Sequence, residues 1–159
     1  MNKWLKRLFC ILLILIKAIS TIGCALFDND DDIDDPEDPI EETLLDEDGY
    51  YYSKEDVALY IHQYNHLPSN YITKDEAKAL GWSSGSLEKY MEGGAIGGDY
   101  FGNYEGLLPE KKGRKYTECD IDTYKAKSRG AKRIVFSNDG LIYYSEDHYE
   151  SFELLYGEE

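Results

Sequence analysis

Cysteine is scarce in this chain of 159 residues: Cys10, Cys24 and Cys119 are the only three. Cys10 and Cys24 fall in a leader-like start, so the domain holds Cys119 alone and an intradomain disulfide is excluded. Long apolar runs are also missing. Leu8 to Ile16 gives nine uninterrupted apolar residues before Lys17, well short of the roughly 20 that span a bilayer, which argues against a permanent transmembrane helix. Complete nucleotide and zinc signatures are absent as well. The Gly93-Gly94-Ala95-Ile96-Gly97-Gly98 stretch lacks the lysine and hydroxyl residue of a phosphate-cradling loop and precedes a strand pattern, so it reads as a place of tight chain packing. His62 and His66 stand four apart without the glutamate of a zincin motif or a third ligand, and read as structural.

Each part of the N-terminal third also lacks one sign of charge. Residues 1–27 carry four bases and no acid, residues 28–48 carry 13 acids and no base, and residues 49–159 carry 13 bases against 19 acids, a balance of −6. The overall charge of −15 speaks against a polyanionic partner. Residues 111–133, however, hold nine bases against Glu118, Asp120 and Asp122, so a local anion site survives inside an acidic protein.

Lys3, Lys6 and Arg7, the apolar run, and Thr21-Ile22-Gly23-Cys24 form the pattern of an export signal over residues 1–24. Small Gly23 before Cys24 is similar to a bacterial lipoprotein cleavage box. Cys24 is therefore the expected lipidation site and its lipid the expected membrane attachment; a plain secretory peptide cut nearby is the alternative. Residues 25–48, with Pro36, Pro39 and the acidic run, bury little and repel themselves, and are expected to be a disordered tether. The domain is then 49–159.

Within it, helical patterns come first and strand patterns last, which predicts an α+β domain. Ser53 with Asp56 starts a helix whose apolar positions Val57, Tyr60, Ile61 and Tyr64 recur at helical spacing and end near Asn65. Thr73 with Glu76 opens a short helix through Leu80, stopped by Gly81, and Ser86 to Met91 fits a third. Strand patterns follow at Ala95–Phe101, Tyr116–Asp122, Arg133–Ser137, Leu141–Tyr144 and Ser151–Leu154, with a tight turn at Asn138-Asp139-Gly140. The expectation is about three N-terminal helices packed on a roughly five-stranded antiparallel sheet.

Three features carry chemistry. Lys74 sits at a first helical position, where a cation opposes the helix dipole, and could instead meet a phosphate; an exposed solubilising lysine is the bland reading. Arg129 and Arg133 follow the basic run Lys111, Lys112, Arg114, Lys115 and offer donor forks suited to phosphate oxygens, or a solvated surface. Glu118 in a strand and His148 in a hairpin tip could serve as base and acid. Cys119 reads as a small buried hydrophobe.

Taken in order, Leu67-Pro68-Ser69-Asn70-Tyr71-Ile72-Thr73-Lys74, Ala79-Leu80-Gly81-Trp82, Ile96-Gly97-Gly98-Asp99, Phe101-Gly102-Asn103-Tyr104-Glu105-Gly106 and Asp147-His148-Tyr149 resemble the small secreted guanyl-preferring ribonucleases of the barnase type. The likeness runs from about Tyr50 to Leu154. It implies an exported, monomeric endoribonuclease that uses no metal and no cofactor and cleaves single-stranded RNA after guanosine through a 2',3'-cyclic phosphate. By position, Glu118 is the general base and His148 the general acid, while Lys74, Arg129 and Arg133 stabilise charge on phosphorus. The same resemblance assigns guanine recognition to Phe101, Asn103, Tyr104 and Glu105, with Tyr149 flanking the base. Tyr104 stands where the family carries an arginine. A small acidic inhibitor resembling barstar is the implied protein partner. Two other readings remain open: a noncatalytic RNA- or protein-binding module on the same fold, and an acidic tail that covers the phosphate site.

Overall fold

The computed structural model describes residues 44–158; the expected export signal, Cys24 as the expected lipidation site and most of the expected tether lie outside the described residues. Helix α1 (Lys54–Tyr64) starts where the Ser53 hydroxyl accepts the Asp56 amide at 3.1 Å. It ends at Asn65, whose φ of 59° lets its N–H return to the Ile61 carbonyl. Strand β1 (Tyr71–Ile72) leads into helix α2 (Lys74–Ala79), opened by a reciprocal capping box between Thr73 and Glu76. Then come β2 (Ala95–Phe101), β3 (Tyr116–Asp120), β4 (Arg133–Ser137), β5 (Ile142–Ser145) and β6 (Glu153–Tyr156). Asn138 and Asp139 turn β4 into β5, with Gly140 at φ +100°.

All six strands form one sheet in chain order. Strand β1 runs parallel to β2, pairing Tyr71 with Ala95 and Ile72 with Ile96, and the remaining neighbours are antiparallel. This corrects the expectation of three helices on five antiparallel strands. Ser86–Met91 is a turn, in which the Tyr90 and Met91 amides both donate to the Leu87 carbonyl; Gly93 and Gly94 follow at once and give a helix nothing to propagate into. Among the described residues the helices are therefore two. The extra strand, β1, has only two residues, too few to show alternation. It pairs in parallel because α2 and the turns after it form a crossover long enough to bring the chain back in the same direction.

Alternation sorts the sheet into two faces. Cys119, Ile134 and Ile142 pack on Val57, Ala58 and Ile61 of α1. The opposite face carries Tyr116, Val135 and Tyr143 with Phe101 against them, and in the same register set stand Asp99, Glu118, Asp120 and Arg133. Strand β2 passes β3 closely: a Cβ on Gly97 would lie 2.6 Å from Cys119 Cβ and 2.7 Å from the Tyr71 ring. The glycine stretch serves this approach.

The described end of the acidic segment is tied to α1. The Leu45 amide donates to Gln63 Oε1 at 3.0 Å, and the Tyr51 and Tyr60 hydroxyls donate to the carbonyls of Asp46 and Glu47 at 3.0 and 2.9 Å. Among the described residues these contacts reach back to Leu45. Among the described residues no helix is long and apolar enough to cross a membrane.

Candidate active site

Glu118 occupies β3 between Asp99 of β2 and Val135 of β4, and is 7% exposed. A carboxylate this buried needs a partner, and Lys74 supplies it. The Lys74 ammonium donates to Glu118 Oε1 and stands 3.8 Å from Asp99 Oδ2, while its amide donates to Asp99 Oδ2 at 3.0 Å. Two carboxylates therefore offset the unfavourable placement of a lysine at the start of α2.

Two residues along β3, on the same face, Asp120 is 1% exposed and pairs in register with Arg133. Arg129 Nε and Nη2 donate to its two oxygens at 2.6 and 2.8 Å, and Arg133 Nε lies 3.1 Å from Oδ1. Arg133 Nη1 donates to the carbonyls of Gly130 and Lys132 at 3.1 and 2.7 Å. The Trp82 ring underlies Arg129, 5.9 Å from Cζ. Burial pushes the Asp120 carboxyl up against the pull of both arginines, and burial likewise pulls Arg133 down. Each ion here is held by its charged and carbonyl partners.

His148 is exposed at the tip between β5 and β6, with φ 61°, and its amide donates to the Ala131 carbonyl at 3.2 Å. That bond ties the tip to the loop carrying Arg129. The preceding Asp147 accepts from the Ser145 hydroxyl at 2.9 Å, the Ser151 amide at 3.0 Å and the Ser151 hydroxyl at 2.5 Å. Three such bonds hold its carboxyl down at about 2, the Ser151 hydroxyl contributing most. Tyr149 connects the pieces: its ring lies 4.8 Å from that of His148, 5.1 Å from Phe101 and 5.9 Å from Arg133 Cζ.

The loop after β2 is closed from within. Asn103, at φ 46°, gives its side-chain amide to the Leu108 carbonyl at 2.9 Å and accepts the Leu108 amide at 3.0 Å. Its side chain is spent on shaping the loop. Tyr104 is 91% exposed, and the Glu105 carboxylate, also exposed, has no ion-pair partner among the described residues.

The structure thus gathers Glu118, Lys74, Arg129 and Arg133, joins His148, Tyr149 and Phe101 to their rim, and leaves Tyr104 and Glu105 on an open loop. Sequence reasoning missed Asp99 and Asp120. Period-two spacing from Glu118 would have placed Asp120 on the same face, and its register with Arg133 supplies the reason for burying it. His62 and His66 take separate partners: His62 stacks on Tyr156 with ring centres 4.4 Å apart, and His66 Nδ1 lies 2.8 Å from the Leu67 carbonyl. Cys119 is buried, and burial pushes its thiol well up, away from the reactive thiolate.

A sheet face that sets buried carboxylates against fixed cations, with an exposed histidine at the rim, defines a small α+β protein equipped to handle a phosphate group. Residues 54–156 match the family model of ribonucleases, and the chain belongs to that family. It is 50% identical over 98 residues to a ribonuclease of Heyndrickxia coagulans, a match covering 60% of this chain and 89% of that one. It is equally similar to a ribonuclease of Bacillus intermedius, of whose length the match covers 60%. Over 65 residues it is 44% identical to guanyl-specific ribonuclease St of Saccharopolyspora erythraea, covering 41% of this chain and 60% of that one. The protein is an RNA-cleaving enzyme of this family.

Proposed function

We propose that the protein is an exported endoribonuclease that cleaves single-stranded RNA after guanosine, without a metal ion. The observation that carries this reading is the placement of Glu118, bonded to Lys74, on the same sheet face as the Asp120-held arginines. Guanine preference is supported by the likeness to the guanyl-specific relative and by the free carboxylate of Glu105; export is supported by the N-terminal pattern of residues 1–24.

The substrate phosphate enters among Lys74, Arg129 and Arg133, and its charge draws Lys74 away from Glu118. The freed Glu118 carboxylate takes the proton of the ribose 2'-OH as that oxygen attacks phosphorus. The bond from phosphorus to the 5'-oxygen breaks, His148 protonates that oxygen, and a 2',3'-cyclic phosphate remains. Water then opens the ring with the two roles exchanged. Proton transfer supplies about 10²- to 10⁴-fold, and cations fixed before the reaction stabilise the charge that grows on phosphorus. Asp120 and the carbonyls around Arg133 fix the arginines. Glu105 accepts from the guanine N1 and N2 hydrogens, while loop amides near Asn103 and Tyr104 face its oxygen.

The test is cleavage of the dinucleotides GpA and ApA by the full chain in EDTA. The expected result is a guanosine 2',3'-cyclic phosphate from GpA, slow reaction of ApA, and loss of roughly 10²-fold or more in Glu118→Ala and in His148→Ala. A folded protein that leaves GpA intact at low salt would overturn the reading in favour of a noncatalytic binding module.

A further inference from the structure

Beside the loop of Phe101 to Glu105 opens a cavity of about 410 Å³, walled by Phe101 and Asn103 on one side and by Lys111, Lys112, Arg114 and Lys115 on the other. The four cations are not equivalent. Arg114 Nε reaches Asp139 Oδ1 at 2.8 Å and Lys111 Nζ reaches Asp139 Oδ2 at 3.2 Å, so these two share one carboxylate. Lys112 and Lys115 are exposed, and no carboxylate lies within ion-pair distance of either among the described residues. Glu110 is the one acid on the wall. With Asp139 included, four cations face two anions, and the concavity carries +2 in a chain of −15. A net positive concavity of this kind favours a polyanion.

Its position gives the direction of the strand it would meet. On β3 the chain runs back from Glu118 through Tyr116, which pairs with Phe101, to Lys115. At about 3.3 Å per residue Lys115 stands some 10 Å from Glu118 along that line, just before the strand begins, where it lines both this cavity and one on the α1 side. In the ribonuclease reading, on which this inference rests, the scissile phosphate lies on the 3' side of the guanosine, at Glu118 and His148, and the base at the loop. What continues past the loop is the 5' side. We infer that Lys112 and Lys115 bind a phosphate on the 5' side of the guanosine, so that the cavity is an upstream subsite for extended single-stranded RNA.

Cleavage by the full chain of GpA, of the 5'-extended ApApGpA and of the 3'-extended GpApApA tests this. The same series is run for Lys112→Ala, Lys115→Ala and, as a control on the β3–β4 loop, Lys127→Ala. ApApGpA is expected to exceed GpA in kcat/KM, and each of the two variants is expected to lower ApApGpA alone by roughly threefold to fivefold at low salt, the scale of an exposed ion pair. The slope of log kcat/KM against log salt for ApApGpA is expected to lose about 0.7 per lysine. Lys127→Ala leaves all three unchanged. Equal losses on GpA and ApApGpA, a loss confined to GpApApA, or no advantage of ApApGpA in the parent protein would each overturn the subsite while GpA cleavage still upheld the ribonuclease. Intact GpA and ApApGpA together would remove both.

Discussion

Asp120 holds Arg129 with both carboxylate oxygens, at 2.6 and 2.8 Å, and the same carboxylate stands 3.1 Å from Arg133 Nε. One buried anion thus fixes two cations on the face where Glu118 and Lys74 meet. The geometry is organised before any substrate arrives, which is what electrostatic stabilisation of a transition state requires.

Removing that anion leaves Arg133, 2% exposed, without its counter-ion. Asp120→Ala is expected to cost about 3 kcal/mol in urea unfolding, the scale of a broken buried pair. It is also expected to lower kcat more than KM is raised, because the arginines lose their aim. A stability change under about 1 kcal/mol would show that water satisfies the arginines unaided.

Asp147 ties the histidine tip through Ser145 and Ser151, and its carboxyl is held down at about 2. An unfolded aspartate titrates near about 3.9. A lowered folded value means the contribution is fully present above the unfolded value and is lost as pH falls through the folded one. Stability is therefore expected to fall between about pH 4 and pH 2, and to fall less in Asp147→Asn. Asp139, also held low by Arg114 and Ser137, titrates in both proteins, so the difference between the two curves isolates Asp147. Superimposable curves would sink the assignment.

Much of this was legible in the sequence because the signals were local. Ser53 and Thr73 cap the two helices as their side chains suggest, Arg133–Ser137 is a strand as read, and Gly140 turns the hairpin. Long-range pairing was not legible. Strand β1 exists because Tyr71 and Ile72 find Ala95 and Ile96 across the sheet, and two residues carry no period. The Asp46 and Glu47 carbonyls accept from Tyr51 and Tyr60 whatever their side chains carry, so a reading by charge does not find these bonds. Asp99 and Asp120 were hidden for a similar reason: their roles depend on Lys74, Arg129 and Arg133, which only the folded sheet brings to them.

The exposed carboxylate of Glu105 has no ion-pair partner among the described residues, so Glu105→Gln is expected to leave the urea midpoint unchanged. Its effect should fall on base choice. Losing one bidentate base contact corresponds to about 10- to 100-fold in discrimination, seen as a lower GpA to ApA ratio with ApA cleavage itself unaltered. An unchanged ratio would mean that guanine is read elsewhere.

At Gly97, β2 passes close against β3 and the Tyr71 ring. A methyl group there would stand 2.6 Å from Cys119 Cβ and 2.7 Å from the Tyr71 ring, and Tyr71 is itself held by its hydroxyl bond to the Asp120 carbonyl at 3.0 Å. Neither neighbour can swing aside, so the strands must separate, and Gly97→Ala is expected to cost about 1–3 kcal/mol or more. Because the obstructing atom on Cys119 is its Cβ, Cys119→Ala should not rescue the variant. Strand separation would also shift Asp99 away from Lys74 and Glu118, so kcat should fall along with the thermal midpoint. A Gly97→Ala protein as stable and as active as the parent would show that β2 has slack at this point and that the glycine is not needed for packing.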